Sequence, residues 1–349
     1  MNGSKVVPRW IPWLFLLLMV YNVGCRRAEV GKDTDAVKII FDTDMGSDCD
    51  DVGALSLLHS YADRGMAEIL GCVYSSGKVP YGAGIVEAIN IYHGRPDIPV
   101  GAVHDTIVGD PVDKMSAEKL AKDTAAFQNR IVHNLDAVEQ TKLNRQLLFG
   151  QEDKSVVYVT VGHPKGLYDL LVSGPDDISN LNGYELIEKK VKRWVALGAL
   201  GANNNQQQYR KDWNFFFNKT APFTKYLVDN FPGEIHFVDA GNDVMTGKSL
   251  INTHAGNIVR TAYRDWLWNV EKKSLEDQRP SWDLATVYYA VEWEGAFLRN
   301  VGNGWLEFNI ENGCRWHRES GKSNQFFVVQ REGINNLFAH YLNGKIGIR

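Results

Sequence analysis

Phe41-Asp42-Thr43-Asp44-Met45-Gly46-Ser47-Asp48-Cys49-Asp50-Asp51-Val52-Gly53-Ala54-Leu55 is the stretch on which the reading of this chain turns. It joins the apolar run Val37–Phe41 to residues 50–64, where Val52, Leu55, Leu58 and Ala62 recur at helical spacing. A strand running through an acidic loop into a helix is the opening of a βαβ unit. The pattern repeats outward from there. Strands are expected at 68–74, 98–102, 155–161, 191–197 and 234–238. Helices are expected at 82–93, 116–140, 166–173, 223–230, 246–253, 258–269 and 283–293. Strands separated by helices imply parallel pairing. The tail differs: 305–310, 314–317 and 325–329, split by Asn-Gly and Ser-Gly turns, read as antiparallel strands, with a last helix at 333–342. The expected fold is therefore α/β, a mostly parallel open sheet with helices on both faces and a small antiparallel β appendage at about 300–349.

The 349 residues carry 38 Lys+Arg against 42 Asp+Glu, a net charge of −4, and the 44% hydrophobic fraction is that of a globular protein. This balance gives no reason to expect a nucleic acid polymer as partner. Lys5 and Arg9 precede the apolar run Trp10–Val20, the layout of a secretory signal over residues 1–24. Gly24-Cys25 resembles a bacterial lipoprotein box, in which Cys25 would be lipidated. An ordinary signal peptide cut near Gly24 is the competing reading. Residues 25–36 read as a polar tether, and 37–349 as one domain. The lipoprotein reading places the protein outside the cytoplasm, in the periplasm or cell envelope, and touching the membrane only through its lipid. Cys49, Cys72 and Cys314 show no zinc spacing.

Five Asp fall within the ten residues 42 to 51. Carboxylates this close repel one another unless a cation neutralises them. Hard divalent cations take carboxylate and carbonyl oxygens. The loop sits where open α/β sheets bind ligands, at the carboxyl end of a strand. A metal site follows, although one of these Asp can equally cap the helix. An EF-hand is excluded: its sixth and twelfth positions, Gly and Glu, fall here on Ser47 and Gly53. A magnesium-dependent phosphatase with Asp42 as nucleophile remains a competitor. No P-loop, Gly-x-Ser-x-Gly or Gly-x-Gly-x-x-Gly occurs.

Asp42-Thr-Asp44-Met-Gly-Ser-Asp48-Cys-Asp50-Asp51 resembles the N-terminal motif of the inosine-uridine-preferring nucleoside hydrolase family, with two extra residues, as in a divergent branch. Three later stretches agree in order. Val157-Tyr-Val-Thr-Val161-Gly-His163-Pro resembles the strand whose last carbonyl ligates calcium. Asp212-Trp213-Asn214-Phe resembles a ribose-binding Glu-Phe-Asn. Arg279-Pro-Ser-Trp282-Asp283 resembles the late metal motif.

The resemblance implies hydrolysis of the N-glycosidic bond of a ribonucleoside or related riboside. It implies one Ca2+ per subunit, held by Asp44, Asp51, Asp283 and the Val161 carbonyl. Asp44 would take the proton of the attacking water. Asp50 would grip the 2′-hydroxyl, Asp212 and Asn214 the rest of the ribose, and Asp42 would orient a ligand from behind. Trp282 stands where members often carry His, and it can stack on a base but donates no proton as an acid. Ser75-Ser76-Gly77-Lys78 replaces a Gly-Asn that contributes a ribose contact, and Ala202–Gln208 reads equally as a flexible polar loop. His163 is the one histidine with an active-site address, with a structural role as its default. A non-catalytic, metal-dependent riboside-binding lipoprotein is the alternative that these departures favour. Homo-oligomers are common in the family.

Overall fold

The strand predicted to end at Phe41 runs from Val37 to Thr43 (β1), and its alternation sorts the core. Ile39 and Phe41 pack into one apolar cluster, and Ile40 into the other. In this computed structural model, residues 1–3, 36–205, 207–318 and 324–348 are described. The expected signal segment beyond Gly3, Cys25 and the tether up to Asp35 lie outside the described residues. The chain divides into the units Met1–Thr34 and Asp35–Arg349.

Among the described residues eleven further strands follow: β2 (Ala67–Tyr74), β3 (Val100–Ala102), β4 (Val138–Glu139), β5 (Val156–Thr160), β6 (Val191–Leu197), β7 (Glu234–Asp239), β8 (Met245–Thr246), β9 (Arg279–Pro280), β10 (Leu298–Asn309), β11 (Gly313–His317) and β12 (Gln325–Gln330). Nine of these join β1 in one ten-stranded sheet in the order β11-β10-β12-β7-β6-β5-β1-β2-β3-β4, while β8 and β9 pair separately. Pairing from β12 through β4 is parallel. β10 pairs antiparallel with β11 and β12. The C-terminal strands are thus antiparallel as expected, and β12 joins them to the main sheet through β7. The two clusters hold helices on opposite faces, with Leu55, Ile85 and Leu284 on one and Leu167, Leu186 and Leu227 on the other. That cover is what a buried parallel sheet needs.

Two expected helices are not formed as such: 246–253 holds the end of β8 and a 3-10 turn, Lys248–Asn252. Residues 116–140 hold two short helices, Ala117–Lys122 and Thr124–Phe127, and a 3-10 turn, Asn134–Asp136. Asp123 caps the second helix, and Gln128 adopts a φ of 62° that ends it. Asn129 Nδ2 then takes the carbonyls of Ala121 and Ile131. Side-chain capture of backbone groups here outcompetes the helical period. The true helix is Gln140–Phe149, capped by Glu139, and a helix at Gly183–Lys190 was not foreseen.

β1 lies at the centre of the sheet between β2 and β5. Its acidic loop therefore opens above the carboxyl ends of the middle strands. The helices Asp50–Ala62 and Trp282–Glu292 start there.

Candidate active site

Eight of the residues named from sequence line one cavity of about 400 Å³: Asp44, Asp50, Asp51, Val161, Asp212, Asn214, Trp282 and Asp283. Asp50 and Asp51 occupy the first turn of one helix, and Trp282 and Asp283 that of another. Helix N-termini favour negative charge, which tempers the cost of bringing these carboxylates together. Gly162 makes the approach possible, because a Cβ there would come within 2.4 Å of Asp44 Cγ.

The electrostatics record the crowding. Burial, followed by the charges of Asp110 and Asp48, pushes the Asp44 carboxyl well above the usual carboxylate range. Burial and Asp44 raise Asp51; burial and Asp48 raise Asp50; burial and Asp50 raise Asp283. Asp50 Oδ2 is buried with no hydrogen-bond partner. The donors are hard oxygens of the kind a divalent cation takes, held back from ionising by burial and by one another; among the described residues Asp44, Asp51 and Asp283 do not bring three ligand atoms within 4.8 Å of one another. Thr43 Oγ1 donates to Asp51 Oδ1, which also accepts from the Asp44 amide at 3.3 Å.

Arg279 supplies part of the missing positive charge. Its guanidinium pairs with Asp48, lies 3.5 Å from Asp50 Oδ1, and stacks over Trp266 and Trp282 at 4.2 and 4.9 Å. Burial pushes the Asp48 carboxyl up, but Arg279 outweighs it and holds Asp48 below its usual range. Arg279→Gln is expected to destabilise the fold by about 2 kcal/mol in urea unfolding. That is less than for a fully buried pair, because the Asp48 side chain is 31% exposed. An unchanged midpoint would show the pair to be energetically idle.

The remaining residues are placed as follows. Asn214 Nδ2 donates to the Val161 carbonyl at 2.7 Å, so these two are bonded to each other. A carbonyl has two lone pairs, and one stays free. Asp212 caps the helix Trp213–Phe216, accepting from the amides of Phe215 and Ala199, and burial lifts its carboxyl to about 6. Asp42 is fully buried, accepts from Tyr158 at 3.1 Å, and is absent from the cavity lining. Burial lifts its carboxyl to about 7. A nucleophile must reach its substrate, so Asp42 does not suit the phosphatase reading.

Two groups gain importance over the sequence reading. His163, fully buried, donates its amide to Asp44 Oδ2 at 3.3 Å, and its Nε2 lies 3.4 Å from that oxygen. Its Nδ1 faces Thr220 Oγ1 and the Asn214 carbonyl at 3.1 and 3.2 Å. Asp110 was missed, since it stands alone in a loop with no motif around it. Burial pushes its carboxyl up, but the neighbouring His163, with Ser47 and Trp213, brings it below its usual range. Asp44, Asp110 and His163 bring three ligand atoms within 4.8 Å of one another, a group able to hold a metal ion.

No protein-family model and no curated protein matches this sequence. Solved structures do match. The inosine-guanosine nucleoside hydrolase IG-NH is 15% identical, with a TM-score of 0.63 over 89% of this chain and 99% of its own. The plant nucleoside hydrolase PpNRh1 is 13% identical, with a TM-score of 0.60 over 89% and 99%. The type III effector protein XopQ, complexed with adenosine diphosphate ribose, is 13% identical, with a TM-score of 0.61 over 89% and 94%. This chain has the α/β fold of the nucleoside hydrolases.

Proposed function

We propose that this protein hydrolyses the N-glycosidic bond of ribonucleosides or related ribosides, giving free base and ribose, with one calcium ion per subunit. One observation carries the reading: four mutually destabilised carboxylates, Asp44, Asp50, Asp51 and Asp283, line a single cavity in the fold that nucleoside hydrolases use. The riboside bound by a protein of the same fold is further support.

Asp44, Asp51, Asp283 and the Val161 carbonyl would hold the calcium. When bound, the cation supplies a Lewis acid that lowers the pKa of a water molecule. Asp44 takes a proton of the attacking water, whose oxygen bonds to C1′ as the bond from C1′ to the base nitrogen breaks. The electron pair of that bond leaves with the base. Asp50, whose Oδ2 lacks a partner, accepts from a ribose hydroxyl. Asp212 and Asn214 line the same cavity and hold the sugar from the other motif. A site that hydrogen-bonds a hydroxyl discriminates strongly against an analogue without it. Trp282 stacks on the base, and the best substrates are those whose bases leave without protonation. A metal-dependent riboside binder without turnover is the second reading, favoured by Trp282 and by the Val161–Asn214 bond. In the cell the protein is exported and anchored at the envelope through Cys25.

Release of reducing sugar from a panel of nucleosides and a nitrophenyl riboside tests the activity. Turnover with calcium that is abolished by a chelator is expected. Calcium-dependent ribose binding with no turnover on the whole panel would replace the enzyme by the binder.

A further inference from the structure

The loop after β2 makes a contact that its sequence does not announce. Ser76 Oγ accepts from the Asp110 amide at 3.1 Å, and the Gly77 amide donates to the Val108 carbonyl at 3.0 Å. Gly109, at a φ of 136°, lies so close that a Cβ would meet Ser76 Oγ at 2.5 Å. The segment preceding the helix Ala117–Lys122 is thereby clasped, and Asp110 is delivered into the cavity lining.

Its carboxylate is half satisfied. Oδ1 accepts from Trp213 Nε1 at 2.5 Å and Asn218 Nδ2 at 3.0 Å. Oδ2 has no hydrogen-bond partner, with His163 Nε2 at 3.7 Å, and the residue is 1% exposed. A buried acceptor left empty costs about 1–3 kcal/mol. An anion cannot fill the vacancy, since Asp44 stands within 4.8 Å. A neutral donor can, as can a cation shared with Asp44 and His163.

Building on the hydrolase reading, we propose that Asp110 is a ribose-gripping residue whose Oδ2 accepts a hydrogen bond from a sugar hydroxyl. Asp110 lines the cavity, whereas none of Ser75–Lys78 does. Asp110→Asn is a sharp probe. Trp213 and Asn218 both donate, so the amide oxygen must face them and the NH2 must take the orphan position. An acceptor becomes a donor without loss of volume.

The test is calorimetric binding of ribose, and of its 2-, 3- and 5-deoxy analogues, at saturating calcium. Asp110→Asn and Asp110→Ala are each expected to weaken ribose about 10- to 100-fold, the worth of a hydrogen bond to a charged group. One deoxy analogue should lose the same factor on the unaltered protein and bind all three proteins alike. Ribose bound equally by all three proteins overturns the proposal. So does an equal loss for every analogue, or a loss of calcium affinity, which would make Asp110 a metal ligand with His163. Asp110-dependent ribose binding without nucleoside turnover upholds this inference and overturns the hydrolase reading. Turnover with unimpaired ribose binding by Asp110→Asn does the reverse.

Discussion

Asp44→Asn is expected to lower kcat/KM on any accepted riboside by about three orders of magnitude or more. General-base catalysis alone contributes about 10²–10⁴, and Asp44 is also a proposed calcium ligand. The side chain is well suited to the double role. It is 5% exposed, its Oδ2 accepts from the His163 amide, and it packs against Gly162, where a Cβ would come within 2.4 Å of its Cγ. The isosteric amide keeps the shape and removes the charge. Asp42→Asn serves as the contrast. Asp42 is shut away beneath the cavity, so the loss there should be smaller and should follow stability. Steady-state kinetics on both variants, with circular dichroism as a check on folding, make the comparison. A larger loss for Asp42→Asn than for Asp44→Asn would return the nucleophile to Asp42 and revive the phosphatase reading.

Calcium should stabilise the protein more at pH 8 than at pH 5. Burial raises the carboxyls of Asp44, Asp50, Asp51 and Asp283, and lifts Asp212 to about 6 and Asp42 to about 7. A folded carboxyl with a raised pKa keeps a proton that the unfolded chain releases. Its contribution to stability is full below the ordinary value of 3.8 and is lost as pH rises through the folded value. Metal-free protein should therefore melt at lower temperature as pH climbs from 5 to 8. On the proposed ligand set calcium would take the place of protons at Asp44, Asp51 and Asp283, so its increment should grow over the same range. At one hundred times its Kd a ligand adds about 2.7 kcal/mol, which for a chain of this size is a Tm gain of about 5 °C. Thermal melts in chelator and in calcium at both pH values read it. An increment that is larger at pH 5 would mean that the cation binds elsewhere than on these acids.

Much of the parallel core was legible because its signal is local. Val37–Phe41 and Ser155–Val161 are apolar runs that only a covered sheet can bury, and each is followed by a helical period. Where side chains captured backbone, the period misled. Asn129 and Asp123 broke the stretch at 116–140, and the strongest helix of that region began only at Gln140. The antiparallel turns at the tail were readable, while the pairing of β12 with β7 depends on contacts about ninety residues apart.

The acidic loop announced itself by charge density, and Asp283 by its place at a helix start. Asp110 could not be read in this way. It is a single Asp in an irregular segment, brought to the cavity by Ser76 and Gly109 rather than by a strand end. Arg279 was visible in its motif, but its pairing with Asp48 spans 231 positions and has no sequence pattern. The acidic loop presents Asp48 to the guanidinium that offsets the crowding.

Diffraction from crystals grown with calcium tests the proposed metal site directly. One calcium within about 2.3–2.6 Å of Asp44, Asp51, Asp283 and the Val161 carbonyl is the expected result. An ion held instead by Asp44, Asp110 and His163, with Asp51 and Asp283 left out, would contradict it.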